Sequence, residues 1–246
     1  MCDDIVRFDG RRPGELRQIE IEPGFLKNCP GSAIIKFGNT RVLCAASISK
    51  DIPPWMKREE NPGGWITAEY QMLPASTIPR GRREKKGPSG RSQEIQRLVG
   101  RSLRGAVDLQ ALGPRMINID CEVLDADGGT RCASITGAMV ALRLALDPLL
   151  KNGELLKNPI LNNIAAVSVG IVNGKPLLDL CYEEDSKAEV DMNIVITEDM
   201  KLIEVQGTAE GAAFSRDELN QMLDIATPGF KIIFDAQNKA VEAYLA

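Results

Sequence analysis

Histidine is absent from the 246-residue sequence. This absence excludes Ser-His-Asp and Cys-His catalytic arrangements, histidine-ligated metal sites and the commonest general base. An enzyme built from this chain must therefore work with carboxylates, arginines and backbone amides, with or without a bound hard cation.

Long apolar runs and paired cysteines are also missing. No run approaches the roughly 18 apolar residues that would span a bilayer, and the first residues, Met-Cys-Asp-Asp, are acidic where a signal peptide is basic and then apolar. We therefore expect a cytoplasmic protein. The absence of any CxxC pair excludes a zinc ribbon and a regular disulfide framework. We expect buried structural thiols at Cys2, Cys29, Cys44, Cys121, Cys132 and Cys181.

The remaining composition is that of a globular chain. Charged residues make up 26% and hydrophobic residues 43%, which excludes disordered and collagen-like classes. Basic residues are concentrated in one segment: residues 80–104 hold nine basic and two acidic side chains, and the rest of the chain holds 21 basic and 32 acidic ones. A cationic patch on an acidic body is typical of a polyanion site. A solvated, salt-bridged face is the alternative, and charge alone does not decide between them.

Strands are predicted in both halves of the chain from alternating apolar residues and turn signals. Asn173-Gly174 is the strongest of the hairpin turns, and in residues 116–124 four apolar side chains alternate with three polar ones. The predicted strands are 18–22, 32–37, 41–47, 116–124, 165–172, 176–182, 190–197 and 201–206.

Three helical regions carry most of the structural prediction. Residues 93–107 place an apolar stripe on one side and arginines on the other, whereas residues 132–146 are apolar nearly all round and predict a central buried helix. A capping box at Ser215 opens a helix over 216–226, and Pro228-Gly229 is expected to break the chain before a C-terminal helix. The charged, Pro-flanked stretch 79–88 is expected to be a mobile arm.

These elements predict an α+β fold. We expect two fused halves, 1–150 and 151–246, that together form a single domain over residues 1–246.

The segment 127–131, Asp-Gly-Gly-Thr-Arg, follows a predicted strand and opens the buried helix. Its glycines let the backbone approach a ligand, and the free N–H groups and dipole of a helix start attract anions. Thr130 and Arg131 add groups that suit phosphate oxygens. Arg91, beside Ser92 as a predicted N-cap, offers a second phosphate contact. The segment is not a Walker A or GxGxxG loop, and a simple connecting turn is the alternative.

An acidic stretch, 183–193, supplies the third candidate feature. Asp185 precedes a predicted strand and Asp191 lies at its start, so the two carboxylates can converge on a divalent cation, or one can act as an acid beside a metal ligand. A solvated acidic loop is the alternative.

Eight motifs follow one another over nearly the whole chain. They are RFDGR at 7–11, FGNTRVLC at 37–44, GGWITAEYQMLP at 63–74, GRSQEIQRLVGRSLR at 90–104, DCEVLDADGGTRCASITGA at 120–138, AAVSVGIV at 165–172, EDSKAEVDMN at 184–193 and IEVQGTAEGAAFS at 203–215. Together they resemble the ribonuclease PH family, phosphate-dependent exoribonucleases that trim transfer RNA 3′ ends.

The resemblance implies a fold, an assembly and a set of site residues. The fold has two βαβ-type halves around mixed sheets, like the second domain of a small-subunit ribosomal protein, and the assembly is a homohexamer built as a trimer of dimers. Magnesium is implied at the catalytic carboxylates Asp185 and Asp191. Inorganic phosphate, the co-substrate, is implied at Arg91, Gly129, Thr130 and Arg131. RNA binding is expected at Arg80, Arg82 and Arg83 in the basic arm and at Arg97 and Arg101 on the cationic helix.

The implied activity is reversible phosphorolysis, in which the 3′-terminal nucleotide of a transfer RNA precursor moves to phosphate and leaves as a nucleoside diphosphate. This chemistry suits a chain without histidine, because phosphate near pH 7 already carries about −1.5 to −2 charge and needs no general base. The alternative is a catalytically silent RNA-binding ring subunit of an exosome-like assembly. The coexistence of the phosphate-binding residues and both aspartates favours the enzyme.

Overall fold

The structure is a computed structural model that describes residues 7–246. The predictions made for the acidic N-terminus and for Cys2 lie outside the described residues. Two β-sheets pack on the two sides of a central helix, and the α+β class predicted from the sequence is confirmed.

The first sheet has five strands in the order β1-β2-β3-β5-β4. Their bounds are β1 Ile19–Pro23, β2 Gly31–Phe37, β3 Thr40–Ser49, β4 Trp65–Met72 and β5 Met116–Asp125. Neighbours are antiparallel except β4 and β5, which are parallel and are connected through helix α1 (Gly90–Gly105) and the single-turn α2 (Leu109–Leu112). The alternation predicted for β5 is confirmed, because its four apolar residues Ile117, Ile119, Cys121 and Val123 are all buried.

The sequence analysis predicts no strand at β4, although Ile66, Ala68 and Tyr70 are buried at every second position. The strand pairs with β5 over its whole length. It is therefore stabilised by a partner about 50 residues further along the chain, a contact that local turn signals do not reveal.

The second sheet is antiparallel throughout, in the order β7-β6-β8-β9. Its strands are β6 Ile164–Val172, β7 Lys175–Leu178, β8 Val190–Thr197 and β9 Leu202–Ala209. The predicted strand 176–182 is wrong beyond Leu178. Asp179 has φ +55°, which leaves the extended conformation, and Tyr182–Asp185 forms the short helix α4.

Helix α3 (Thr130–Lys151) is the central helix, as predicted, and packs against β2 and β3 on one side and β6 on the other. It is the one helix within residues 7–246 that is long and apolar enough to cross a membrane, although charged residues interrupt its apolar run. Since 72% of its most apolar stretch is buried inside the fold, α3 is a core helix here.

The C-terminal helix α5 (Arg216–Leu245) begins at the predicted Ser215 cap, but the predicted break at Pro228 is wrong. Proline removes one backbone donor and usually kinks or ends a helix. Here the Thr227 hydroxyl donates to the Leu223 carbonyl at 2.9 Å. Phe230 and Ile233, which follow Pro228, are buried in the core. Their packing therefore outweighs the cost of a proline inside the helix.

The N-cap predicted for α1 is also wrong. The cap is Ser89, whose Oγ accepts from the backbone N–H of Ser92 at 3.2 Å, and the helix begins at Gly90. Arg91 consequently lies inside the first helical turn.

Four of the expected buried thiols are confirmed, and Cys29 is half-buried instead. The four are Cys44, Cys121, Cys132 and Cys181. Burial raises the pKa of the Cys44 and Cys132 thiols well above the usual value, so these two are inert packing groups.

Candidate active site

A cavity of about 770 Å³ opens where the first sheet, the start of α3 and the start of β8 meet. The chain leaves β5 at Asp125, turns through residues 126–129 and enters α3, while α4 approaches from the second half of the molecule. All residues predicted for phosphate binding and catalysis line this cavity: Arg91, Gly129, Thr130, Arg131, Asp185 and Asp191.

The turn into α3 has the features of an anion site. Gly129 is the N-cap at φ +66° and no side chain caps the helix, so the first-turn N–H groups have no side-chain acceptor and their dipole faces the cavity. Gly128 has φ +73°, and a Cβ there would lie 2.5 Å from the Leu180 carbonyl oxygen. The Thr130 hydroxyl is hydrogen-bonded to the hydroxyl of the buried Tyr70 at 2.9 Å. Both glycines therefore suit the positive φ of this turn, and Gly128 is also required by the close approach of residues 180–182.

Arg131 lies at this helix start and is held by Glu94 of α1, with Nη2 donating to Oε2 at 2.8 Å. Burial lowers the pKa of Arg131, but the Glu94 ion pair and nearby Asp191 outweigh it and raise the pKa above its usual value. Its Nε is buried without a hydrogen-bond partner among residues 7–246. A buried guanidinium N–H without a partner is suited to donate a hydrogen bond to a phosphate oxygen.

Arg91 brings a second guanidinium to the cavity from the first turn of α1, and its side chain is exposed there. Its charge acts on Asp185 and on Asp191, lowering the pKa of each against the effect of burial. The two arginines and the two aspartates therefore share one electrostatic environment.

Asp185 ends α4 and Asp191 is the second residue of β8. Burial raises the pKa of both carboxyls, and for Asp191 burial and the negative charge of Asp185 together raise it to about 6. Two partly buried carboxylates of like charge are costly to ionise together. A cation or a proton between them removes this cost.

The donor set fits a magnesium ion only in part. No cluster of three or more Cys, Asp or Glu side chains able to hold a metal occurs within residues 7–246. Magnesium, however, is commonly held by one or two carboxylates together with substrate phosphates and water. The Asp185–Asp191 pair matches that arrangement, because its mutual repulsion is what a divalent cation offsets.

The sequence analysis missed two buried ion pairs, Arg17–Asp179 and Arg7–Glu184, that lie next to the cavity. Arg17 donates to Asp179 through Nη2 at 2.7 Å and Nε at 3.0 Å, and also donates to the Asp127 carbonyl. Arg7 Nε donates to Glu184 Oε1 at 2.7 Å, next to Asp185. The RFDGR motif at 7–11 was the available signal, but it does not reveal a partner more than 170 residues away.

The predicted RNA-binding arginines lie outside the cavity. Arg80, Arg82 and Arg83 are exposed in the segment between β4 and α1, and Arg97 and Arg101 are exposed on α1. Arg101 pairs with Glu204 of β9. The structure thus brings the phosphate and carboxylate candidates together and leaves the RNA candidates on the surrounding surface.

Comparisons with known proteins find related sequences and structures. The 3′ exoribonuclease family models match in two parts, domain 1 over residues 15–147 and domain 2 over residues 162–229. A ribonuclease PH from Cereibacter sphaeroides is 54% identical over 239 residues, covering 96% of this chain and 100% of the relative. One from Neisseria meningitidis is 52% identical, covering 98% and 99%. A solved structure of the Archaeoglobus fulgidus exosome with RNA bound to the active site superposes with a TM-score of 0.74 at 27% identity, covering 90% of this chain and 89% of that one.

Proposed function

The chain belongs to the ribonuclease PH family of 3′ exoribonucleases, and from that membership we propose residue roles, a substrate and an assembly for it. Its activity is that of a phosphorolytic 3′ exoribonuclease, a nucleotidyltransferase that uses phosphate as co-substrate. The catalytically silent ring subunit is not favoured, because several relatives above 50% identity over nearly the whole chain are ribonuclease PH enzymes.

One observation carries the residue assignment. Two arginines, an uncapped helix start and a pair of partly buried carboxylates line a single cavity. We assign phosphate binding to Arg91, Arg131, Thr130 and the backbone at Gly129, since these groups offset the repulsion between phosphate and the RNA backbone.

In the reaction, an oxygen of the bound phosphate attacks the phosphorus of the 3′-terminal phosphodiester. The bond from that phosphorus to the preceding 3′ oxygen breaks, and the departing oxygen takes a proton. The products are a nucleoside diphosphate and an RNA shorter by one nucleotide. No side chain must activate the nucleophile, which accords with the absence of histidine.

Asp185 and Asp191 would hold magnesium. When bound, the ion would neutralise charge on the reacting phosphates. With a pKa of about 6, Asp191 is alternatively suited to hold a proton near the departing oxygen.

Transfer RNA precursors are the proposed substrates. They would be bound by Arg80, Arg82 and Arg83 of the arm and by Arg97 and Arg101 of α1.

We further propose that residues 1–246 form one domain with halves near 1–150 and 151–246, since a single core cluster includes residues of both sheets and α3. The proposed assembly is a homohexamer, a trimer of dimers, in the cytoplasm. Light scattering of the purified protein tests the hexamer.

Removing Arg131 tests the phosphate site. In Arg131→Ala we expect turnover at fixed phosphate to fall by about 100-fold or more, because a preorganised charged donor is lost, while the Kd for RNA changes little. Arg12→Ala, which removes an exposed arginine from the surface, is the control. Equal loss of RNA affinity and phosphate dependence in Arg131→Ala would refute the assignment.

A further inference from the structure

The two tryptophans of the chain lie together outside the catalytic cavity. The rings of Trp55 and Trp65 pack edge to face with centroids 5.1 Å apart. The guanidinium carbon of Arg104 lies 4.5 Å from the centroid of the Trp65 ring, and its Nη1 donates to the Ile66 carbonyl at 2.8 Å. The cluster of Trp55, Trp65 and Arg104 is thus held in place on one side by α1 and β4.

Trp55 is the exposed member of this cluster, with 53% of its surface open to solvent. Its neighbours Ile52 and Met56 are buried and anchor the loop. The indole of Trp55 therefore is not needed to fill the core, and its exposed face is available to a planar ligand.

The cluster is joined to the catalytic cavity by β4. Trp65 begins the strand and Met72, which ends it, lines the cavity. Seven steps at about 3.3 Å each separate the two by roughly 23 Å, the scale of a few extended nucleotides rather than one.

Helix α1 packs against β4 and connects the same two places. Near its start Glu94 holds Arg131 of the cavity, and near its end Arg104 lies over Trp65. Arg97 and Arg101 lie between them on the same face, at helical spacings of three and four residues. Glu204 pairs with Arg101 from β9, so Arg97 and Arg104 carry most of the uncompensated positive charge. A cationic track that ends in aromatic rings is the arrangement that binds single-stranded nucleic acid.

We propose that Trp55, backed by Trp65 and Arg104, is a stacking platform for a base of the single-stranded RNA 3′ tail, upstream of the nucleotide being removed. The proposal rests on the proposed function and adds a second contact point to it. Because every base has a π-face, the platform holds RNA without sequence preference. Only RNA long enough to reach from the cavity to Trp55 gains from it.

Intrinsic fluorescence reads this site directly, because Trp55 and Trp65 are the only tryptophans in the chain. The full-length protein is titrated with oligoadenylate of about 10 nucleotides, the scale of single-stranded binding sites, and with a trinucleotide. We expect the longer RNA to quench the fluorescence and the trinucleotide to leave it unchanged. Absence of quenching by the longer RNA would overturn the proposal.

Substitution then separates stacking from packing. Trp55→Ala and Trp55→Leu should each raise the Kd and KM for the longer RNA about tenfold, the loss expected for one stacked base, and remove most of its advantage over the trinucleotide. Trp55→Phe should retain most of the affinity. Tyr244→Ala, which removes another exposed aromatic residue, is the control and should change nothing.

Two results would contradict the platform. If Trp55→Leu binds the longer RNA as tightly as the parent protein, an apolar side chain is enough for binding and no base stacks on an aromatic ring. If the trinucleotide is weakened as much as the longer RNA, the effect does not come from an upstream contact. Release of nucleoside diphosphate by the parent protein is measured in the same assays, so failure of the proposed function is seen separately.

Discussion

At the scale of single residues, Asp191 lowers the stability of the folded protein when its carboxyl is ionised. Its carboxyl is mostly buried beside Asp185, and its pKa is raised from 3.8 to about 6 by burial first and by Asp185 second. Above pH 6 the folded protein therefore holds a charge that the unfolded chain holds more easily. An ionisation cost of this kind is typical of functional sites, and it is offset when a ligand or cation binds.

Replacing Asp191 by asparagine should accordingly stabilise the protein while removing activity. Because the folded pKa lies above the unfolded value, the cost of ionisation is present above pH 6 and absent below about pH 4, amounting to roughly 3 kcal/mol at about 1.4 kcal/mol per pH unit. We expect Asp191→Asn to unfold at higher urea concentration than the parent at pH 8, with the difference vanishing towards pH 4. Turnover should fall by about 100-fold or more.

Urea titrations at both pH values check this, and the low-pH titration is its own control. A variant that is less stable than the parent at pH 8 would show that the Asp191 carboxylate is held by favourable contacts in the folded protein.

At the scale of elements, two arginines of the segment at residues 7–17 support the candidate catalytic cavity. Arg17 is bound to Asp179 and to the carbonyl of Asp127, and so fixes the glycine turn against the loop after β7. Arg7 fixes Glu184 in α4. Neither arginine is among the residues that line the cavity, so we expect both to act by positioning the groups that do.

Breaking the buried Arg17–Asp179 pair should reduce stability and phosphate affinity together. Arg17→Met removes the closest charged partner of the buried Asp179 carboxylate and leaves it Arg11 at 3.5 Å and one backbone N–H, which we expect to cost up to about 3–5 kcal/mol. The double variant Arg17→Met with Asp179→Asn should recover much of the stability, because asparagine is neutral and tolerates the φ of +55° at residue 179. It should not recover the phosphate KM, because the Asp127 carbonyl still lacks its donor. Urea unfolding and phosphate kinetics measure the two effects.

The exposed Arg12–Glu15 pair provides the matched control. Arg12→Met should change stability by less than about 0.5 kcal/mol, as expected for a surface ion pair. Recovery of both stability and phosphate KM in the double variant would contradict the positioning role of Arg17.

Elements with a local pattern were predictable, and those decided by distant contacts were not. The alternation in β5 and the all-round apolar surface of α3 are properties of the residues themselves, and both are confirmed. The continuity of α5 through Pro228 depends on core packing of Phe230 and Ile233. The left-handed turn at Asp179 depends on the buried pair with Arg17.

The same distinction applies to the candidate site. The turn at 127–131 and the aspartates were visible as motifs, and the structure brings them into one cavity. The Glu94 contact of Arg131 and the Tyr70 contact of Thr130 join side chains 37 and 60 residues apart. No spacing in the sequence signals these contacts.

At the scale of the whole molecule, charge is divided between an acidic body and the basic segment 80–104. The net charge of −4 opposes unspecific attraction to RNA, while the exposed arm at 80–86 provides a local cationic surface. We expect this division to direct RNA towards the cavity, with long-range attraction that salt weakens.

Neutralising the arm should therefore change the salt dependence of RNA binding. The triple variant Arg80→Gln, Arg82→Gln and Arg83→Gln should weaken transfer RNA precursor binding and reduce the slope of log K against log salt by about 0.7–0.9 for each lost phosphate contact. The control replaces Lys151, Lys231 and Lys239, which are exposed on other helices, by glutamine. An unchanged slope in the arm variant would exclude the arm from the RNA interface.

The central claim is that phosphate, bound between Arg91 and Arg131, is the attacking group on an RNA 3′ end. The most direct test incubates a transfer RNA precursor carrying a 3′ extension with the full-length protein and magnesium, with and without inorganic phosphate, and identifies the released nucleotide. We predict nucleoside diphosphates that appear only when phosphate is present. Nucleoside monophosphates released without phosphate would identify water as the nucleophile and contradict the account.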